Sequence, residues 1–315
     1  MIGSLLDATL DRTVVGGYTK VGYQLRRRWW RSEDFESMTG KSVLVTGATS
    51  GLGLAAAEGF ARLGANLWLL ARDRERGEDA RAAVAEQTSG EVRLELCDLA
   101  DLSSVRAFAQ GFTAAGHRLD VLVNNAGVMS PQRARSADEI ELTFAVNVVA
   151  PFLLTRSLLE PLRRAAPSRI INVSSGGMYT QRLQADDLQS EQGEFDGTAV
   201  YARSKRAEVI LTEMWAQRLG GTGVSVHAMH PGWADTPGVR SSLPRFYRVT
   251  RPLLRTPAQG ADTIVWLGAA REPGLSSGEF WHDRARRPVY LLPGTRETTA
   301  DRERLWRACE ELTET

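Results

Sequence analysis

The stretch Thr46-Gly47-Ala48-Thr49-Ser50-Gly51-Leu52-Gly53 follows a short aliphatic run and opens an alanine-rich segment. Glycines at these spacings let the chain turn tightly and bring its backbone against a pyrophosphate. The helix they open presents unpaired N–H groups and the favourable end of its dipole to that charge. A glycine pattern alone can be an ordinary turn. Here it sits between a strand read over 42–45 and a helix read over 52–63, the setting of the first turn of a βαβ unit. Gly47, Ser50, Gly51, Leu52 and Gly53 are therefore candidate dinucleotide contacts.

Working outward, short β-branched and aliphatic runs alternate with longer helical ones. Strands are read over 67–70, 92–97, 121–123, 170–173, 224–228 and 279–281. Helices are read over 73–86, from about 102, and over 137–162, 201–219 and 259–267. Strands apolar throughout and separated by helices predict a parallel sheet covered on both faces, with right-handed crossovers. The expected fold is α/β, a single doubly wound domain whose ligands lie beyond the carboxyl ends of the strands.

The second strand ends in Ala71-Arg72-Asp73. A carboxylate at that end suits the ribose hydroxyls of NAD(H), whereas a guanidinium suits a 2′-phosphate. Arg72 favours NADP(H), with Asp73 read as the cap of the next helix; NAD(H) is the alternative.

The chain has 315 residues, 43% hydrophobic and 24% charged, with net charge +1. This is ordinary globular composition, with no basic surplus for nucleic acid. Two distant cysteines, Cys97 and Cys309, give neither a disulfide framework nor a zinc spacing, so reduced thiols, a cytoplasmic setting and no metal are expected. No apolar run approaches the ~18 residues of a membrane span, and the N-terminus does not read as a secretion signal. Residues 1–38 form an arm before the domain of 39–290, and 291–315 a helical C-terminal extension. The arm carries Arg26-Arg27-Arg28-Trp29-Trp30-Arg31, which suits either a membrane surface or packing on its own domain or a partner subunit.

Two segments break the alternation, 176–200 and 236–256. Long irregular stretches in a compact domain are usually functional, and both follow sheet strands. Met178, Tyr179, Trp233, Val239, Leu243 and Phe246 are candidates to line an apolar substrate pocket, and packing is the competing reading. His230 reads better as a packed turn residue than as a substrate contact.

Tyr201-Ala202-Arg203-Ser204-Lys205 places Tyr201 and Lys205 at i and i+4, on one helix face. A free phenol titrates near 10, too high for a base at neutral pH, and an adjacent ammonium favours the phenolate. Such pairs are common on solvated helices, but three further landmarks stand at strand ends: Asn124-Asn125-Ala126-Gly127, Ser174-Ser175 and His230-Pro231-Gly232.

Together these motifs resemble the short-chain dehydrogenase/reductase family over about residues 41–281. The resemblance implies a single-domain Rossmann fold of about seven parallel strands. It also implies hydride transfer between a nicotinamide and a small-molecule carbonyl or alcohol. By residue, it implies acid/base work by Tyr201, with Lys205 tuning it and holding the nicotinamide ribose. Ser175 polarises the carbonyl, with Ser174 the alternative, and Asn147 holds a water linking Lys205 to solvent. Asp98 and Leu99 are implied at the adenine, Asn125, Ala126 and Gly127 along the cofactor, and Pro231, Gly232 and Thr236 over the nicotinamide. A homodimer through the helices bearing Asn147 and Tyr201 is implied too. The serine-to-tyrosine spacing is longer than the family's usual one, as in retinol-dehydrogenase-like members, and SSGGM, DLQSE and MHPGWADTPGVR resemble the branch called dehydrogenase/reductase member twelve. The apolar loops suggest a retinoid, steroid or fatty aldehyde. The rivals are a nucleotide-sensing protein without turnover and a nucleotide-sugar epimerase or dehydratase.

Overall fold

The computed structural model describes residues 13–31 and 35–314. A two-helix arm, α1 (Val14–Tyr18) and α2 (Lys20–Arg27), leads into β1 (Ser42–Thr46), α3 (Gly51–Arg62), β2 (Asn66–Ala71), α4 (Arg74–Ala85), β3 (Val92–Leu96), α5 (Leu102–Ala114) and β4 (Val121–Asn124). Then follow α6 (Leu142–Phe144), α7 (Ala150–Ser157), α8 (Leu159–Arg164), β5 (Ser168–Val173), α9 (Gly197–Arg218) and β6 (Val224–Met229). The chain closes with α10 (Pro237–Ser242), α11 (Pro244–Thr250), α12 (Pro257–Ala269), β7 (Phe280–His282), β8 (Ala285–Arg286) and α13 (Thr299–Glu314).

The strands form one sheet in the order β3-β2-β1-β4-β5-β6-β7-β8. The first seven are parallel, as the apolar alternation predicts, and β8 pairs antiparallel with β7. Strand order reverses between β1 and β4, so the ligand crevice of an open α/β sheet opens at their carboxyl ends. Both faces are covered. Val43, Val45, Leu67 and Leu69 pack beneath α3 and α12, while Leu44, Leu122 and Ile170 face α5, α7 and α9. At roughly 25 cal/mol per Å² of apolar surface removed from water, these two layers carry most of the folding energy.

The helix expected over 137–162 is interrupted. Between α6 and α7 the chain makes one wide turn, Ala145–Val149, in which the Ala150 N–H reaches back to the Ala145 carbonyl, i to i+5. Such π-turns recur at functional sites because they redirect one side chain, here Asn147. Helix α9 begins before Tyr201, at Gly197, because Asp196 caps it by accepting from the N–H groups of Thr198 and Ala199. A Cβ at Gly197 would stand 2.1 Å from the Ser130 carbonyl oxygen, so glycine alone fits there. The segment 236–256, read as irregular, folds into α10 and α11.

Helix α13 packs against the helices next to the site. Its Leu305 and Cys309 are fully buried, and Trp306 lies edge-on to Phe152 of α7 at 4.9 Å and to Trp215 of α9 at 4.7 Å. Arg106 and Arg156 donate to the Thr313 carbonyl near its C-terminal end, where cations are favoured. The surface on which dimerisation was expected, along the helices of Asn147 and Tyr201, is thus covered in part by this chain's own C-terminal helix.

The arm docks on its own domain. Arg26, 3% exposed, and Arg255, 1% exposed, both bind the Asp283 carboxylate, at 2.8 and 2.5 Å. The Gly17 carbonyl accepts from Arg26 and Arg255, and the Tyr18 carbonyl from the Trp233 N–H. Arg284 stacks over Trp30 at 4.3 Å. Of the basic-aromatic stretch, Arg26 and Trp30 are taken up in these contacts, whereas Arg27, Arg28, Trp29 and Arg31 are exposed. Residues 1–12 and 32–34 of the proposed membrane-contacting arm lie outside the described residues. Among the described residues no helix is long and apolar enough to cross a membrane.

Candidate active site

The glycine loop is built for close approach. Gly47 and Gly51 take positive φ, +64° and +56°, and a Cβ at Gly53 would stand 2.2 Å from the Gly47 carbonyl oxygen and 2.5 Å from Asn125 Nδ2. Thr46 ties the loop to its neighbour: its hydroxyl donates to the Val123 carbonyl and accepts from the N–H groups of Asn125 and Ala126. Asn125 Nδ2 returns a bond to the Thr46 carbonyl at 2.9 Å. Ser50 and Leu52 sit where the loop becomes α3. Behind them Asn124 donates to Asn172, and Asn172 to Thr212 on α9, a buried amide ladder across β4 and β5.

At the end of β2, Arg72 is exposed. Asp73 caps α4, accepting from the Arg76 N–H at 2.9 Å, as its position predicted. Asp98 accepts from the Ala100 N–H and is exposed, with Leu99 buried beside it.

The candidate catalytic residues gather at the carboxyl ends of β4 and β5. Tyr201 and Lys205 share a face of α9, with Nζ 5.6 Å from the phenol ring centroid. Gly127 abuts them: a Cβ there would lie 3.3 Å from Lys205 Nζ and 3.4 Å from Asn147 Oδ1. Asn147 is fully buried in the wide turn, where its amide accepts from the Val128 N–H and donates to the Val128 carbonyl and to Ser204. Ser174 and Ser175 differ sharply. Ser174 is buried and donates to the Lys205 carbonyl at 2.8 Å, whereas Ser175 is half-buried and accepts from the Gly177 N–H at 3.2 Å.

The loop after β6 folds back over the crevice. Thr236 caps α10, and a Cβ added at Gly51 would stand 3.4 Å from its side chain. Pro231 and Gly232, expected over the nicotinamide, pack against Arg255: the Pro231 carbonyl accepts from Arg255, and a Cβ on Gly232, at φ +72°, would strike the Arg255 guanidinium at 2.6 Å. His230 is buried, accepts from the Gly232 N–H and stacks on His282 at 3.9 Å, the packed turn histidine of the sequence reading. Burial holds both imidazoles in the neutral form, His230 well below its usual range and His282 at about 3. The 3.3 Å contact of His282 with Asp283 is therefore not an ion pair; the charge on Asp283 is met by the arginines.

Two of the substrate candidates are corrected. Met178 is fully buried among Val209, Ala228 and Phe280, and Tyr179 joins them with its hydroxyl donating to the Pro288 carbonyl. The short 3-10 turn Gly176–Thr180 folds them inward as core. Trp233, Val239, Leu243 and Phe246 remain half-buried, Trp233 edge-on to Phe246 at 5.0 Å. A cleft of about 590 Å³ opens between the segment after β4 and the two long loops, bounded by Met129, Pro131, Phe195, Asp196 and Ser242 among others.

Two groups escaped the sequence reading. Glu208 contacts Lys205 Nζ at 2.7 Å in a buried pair. Burial disfavours the Lys205 charge, but the charges of Glu208 and Tyr201 outweigh it and hold the ammonium above its usual range. Burial pushes the Glu208 carboxyl up to about 7, against the pull of Lys205. A Glu three residues past the lysine, on the same helix, was the available signal. Asp283 was the other, hidden in a turn.

The fold and its site define a nicotinamide-type oxidoreductase scaffold, and the comparisons agree. The short chain dehydrogenase family model matches residues 41–245. The human Dehydrogenase/reductase SDR family member 12 is 40% identical over 305 residues, 95% of this chain and 94% of that one. Human Retinol dehydrogenase 12 is 38% identical over 278 residues, 87% of each. Among solved structures, a Pseudomonas aeruginosa RhlG/NADP active-site complex matches with TM-score 0.65 and 26% identity, covering 79% of this chain and 96% of that one. The chain belongs to the short-chain dehydrogenase/reductase family of oxidoreductases, in the branch of member twelve and the retinol dehydrogenases.

Proposed function

We propose that this protein transfers hydride between NADP(H) and a lipophilic carbonyl/alcohol pair. The observation that carries the reading is the convergence of Tyr201, Lys205, Asn147 and Ser175 at the carboxyl ends of β4 and β5, beside a glycine loop in which Gly47 and Gly51 take positive φ and a Cβ at Gly53 would strike the backbone. That loop fits a dinucleotide: Gly47, Gly51 and Gly53 admit its pyrophosphate to the N-terminus of α3. When bound, the cofactor supplies the hydride.

The protein's part is position and proton management. In reduction, Ser175 donates a hydrogen bond to the substrate oxygen and Tyr201 delivers the proton. Ser175 suits this better than Ser174, whose hydroxyl is spent on the Lys205 carbonyl. Lys205 holds a positive charge beside the phenol and reaches towards the ribose, and Asn147 anchors the turn that carries the proton path. Asp98 and Leu99 border the adenine, Asn125, Ala126 and Gly127 the cofactor's length, and Thr236 its nicotinamide end. Retinol dehydrogenase relatives and the half-buried Trp233, Val239, Leu243 and Phe246 support a lipophilic substrate.

For the cofactor, Asp73 is occupied as a helix cap, which leaves Arg72 as the charge at the end of β2. Titration by nicotinamide fluorescence should give tighter binding of NADPH than of NADH. Arg72→Ala should weaken NADPH about tenfold or more, the loss of one charge-assisted contact worth about 1.5–3 kcal/mol, and leave NADH unchanged. Equal affinities in the parent protein would remove Arg72 as the phosphate clamp.

A further inference from the structure

Glu208 has no part in the chemistry above, yet Lys205 holds it closely. Its side chain is 6% exposed, and Oε1 accepts from Lys205 Nζ at 2.7 Å while Nζ also donates to the Val173 carbonyl at 2.9 Å. Oε2 has no hydrogen-bond partner among the described residues. Replacing a buried ion pair by apolar groups of similar volume is often neutral or stabilising, so stability gives little reason for a carboxylate here. Its effect on the lysine is direct: it pins the ammonium against the end of β5 and offsets the positive charge that Tyr201 feels.

We propose that Glu208 is a positioning residue for the reaction, the buried counter-ion that fixes Lys205 and sets the pH at which the Tyr201–Lys205 pair gives and takes its proton. This role presupposes the acid/base reading of Tyr201. The titratable groups acting on Glu208 and Lys205 are each other and Tyr201. Strand β5 and the wide turn present the Val173 carbonyl and Asn147, which carry no charge. On and after β6, His227 binds the Pro273 carbonyl and His230 the Gly232 N–H, and burial keeps both neutral.

The sign follows from charge alone. Removing a carboxylate makes the remaining Tyr201–Lys205 pair more positive, so it loses its proton more readily. With NADP+ saturating, the pH profile of alcohol oxidation should move to lower pH by about one unit in both Glu208→Gln and Glu208→Leu, while Glu208→Asp keeps the parent midpoint. Loss of rate at an unmoved midpoint in the neutral variants would overturn the proposal and leave Glu208 a packing residue. A second measurement needs neither substrate nor those variants. Coupling is reciprocal, so infrared titration of the buried carboxyl, near 7 in the parent, should shift upward in Lys205→Met. An unmoved carboxyl band would equally overturn it. A protein that shows this coupling but no turnover would instead count against the hydride-transfer reading.

Discussion

Replacing Tyr201 by Phe is expected to cut turnover by about a thousandfold or more while leaving NADPH affinity almost unchanged. A positioned general acid contributes about 10²–10⁴ in rate, and in the proposed chemistry the phenol is the group that delivers the proton. Phe keeps the ring, and with it the 5.6 Å contact to the Lys205 ammonium. The cofactor loop lies on β1 and α3 and draws its rigidity from Thr46 and Asn125, not from the phenol. The check pairs single-turnover rates with fluorescence titration of NADPH. A variant that retains most of its turnover would move the acid role to another group, and one that loses NADPH binding would recast Tyr201 as structural.

The second large effect lies away from the chemistry. Asp283→Ala should cost about 3–5 kcal/mol, because it removes a buried carboxylate that both buried guanidiniums, of Arg26 and Arg255, bind. Those arginines hold the carboxyl far below its usual range despite burial. The sign of the pH dependence follows. A carboxylate with a depressed folded pKa contributes stability that is present above its unfolded value, about 4, and is lost as pH falls below it. The neutral histidines His227, His230 and His282 act in the same direction from a higher pH. Unfolded imidazoles take protons below about 6.5, which the folded ones refuse down to about 4 for His227 and about 3 for His282. Urea unfolding across pH 7 to 4 should therefore show falling stability in the parent. The Asp283→Ala difference should hold down to about pH 4 and shrink only below it. A variant within 1 kcal/mol of the parent at neutral pH would mean that the network contributes little.

The parts of this fold that were legible are those written in local pattern. Apolar runs gave the parallel strands because both sheet faces are buried, and TGATSGLG gave the switch-point loop because it stands between a strand and a helix. Asp73 was readable as a cap by position alone. What was not legible depends on distant partners. The turn between β7 and β8 places Asp283 and Arg284 at positive φ, +51° and +57°, where hairpins ordinarily carry Asn-Gly. Only the buried arginines, from residues far away in sequence, make that pair tolerable, so the hairpin and β8 escaped notice. Met178 and Tyr179 lie in a polar stretch and gave no sign that a 3-10 turn would fold them into the core. The wide turn at Asn147 leaves no mark in helical periodicity, since every residue from Ala145 to Val149 is buried and the segment has no polar face to register the shift. Trp306 stands in a charged tail, and its place between Phe152 and Trp215 depends on residues far away in sequence.

The most direct test of the central claim follows the hydride itself. The purified protein is given NADPH deuterated at the transferable C4 position, with an equimolar mixture of a long-chain aldehyde and a small polar ketone, and the alcohols are weighed by mass spectrometry. The account predicts one deuterium on the carbinol carbon of the lipophilic alcohol, with little label in the small one. Label confined to the small polar alcohol would contradict the lipophilic assignment. Tight NADPH binding with no label in any alcohol, and none lost from the reverse reaction with NADP+, would contradict hydride transfer and favour a nucleotide-sensing protein on the same fold.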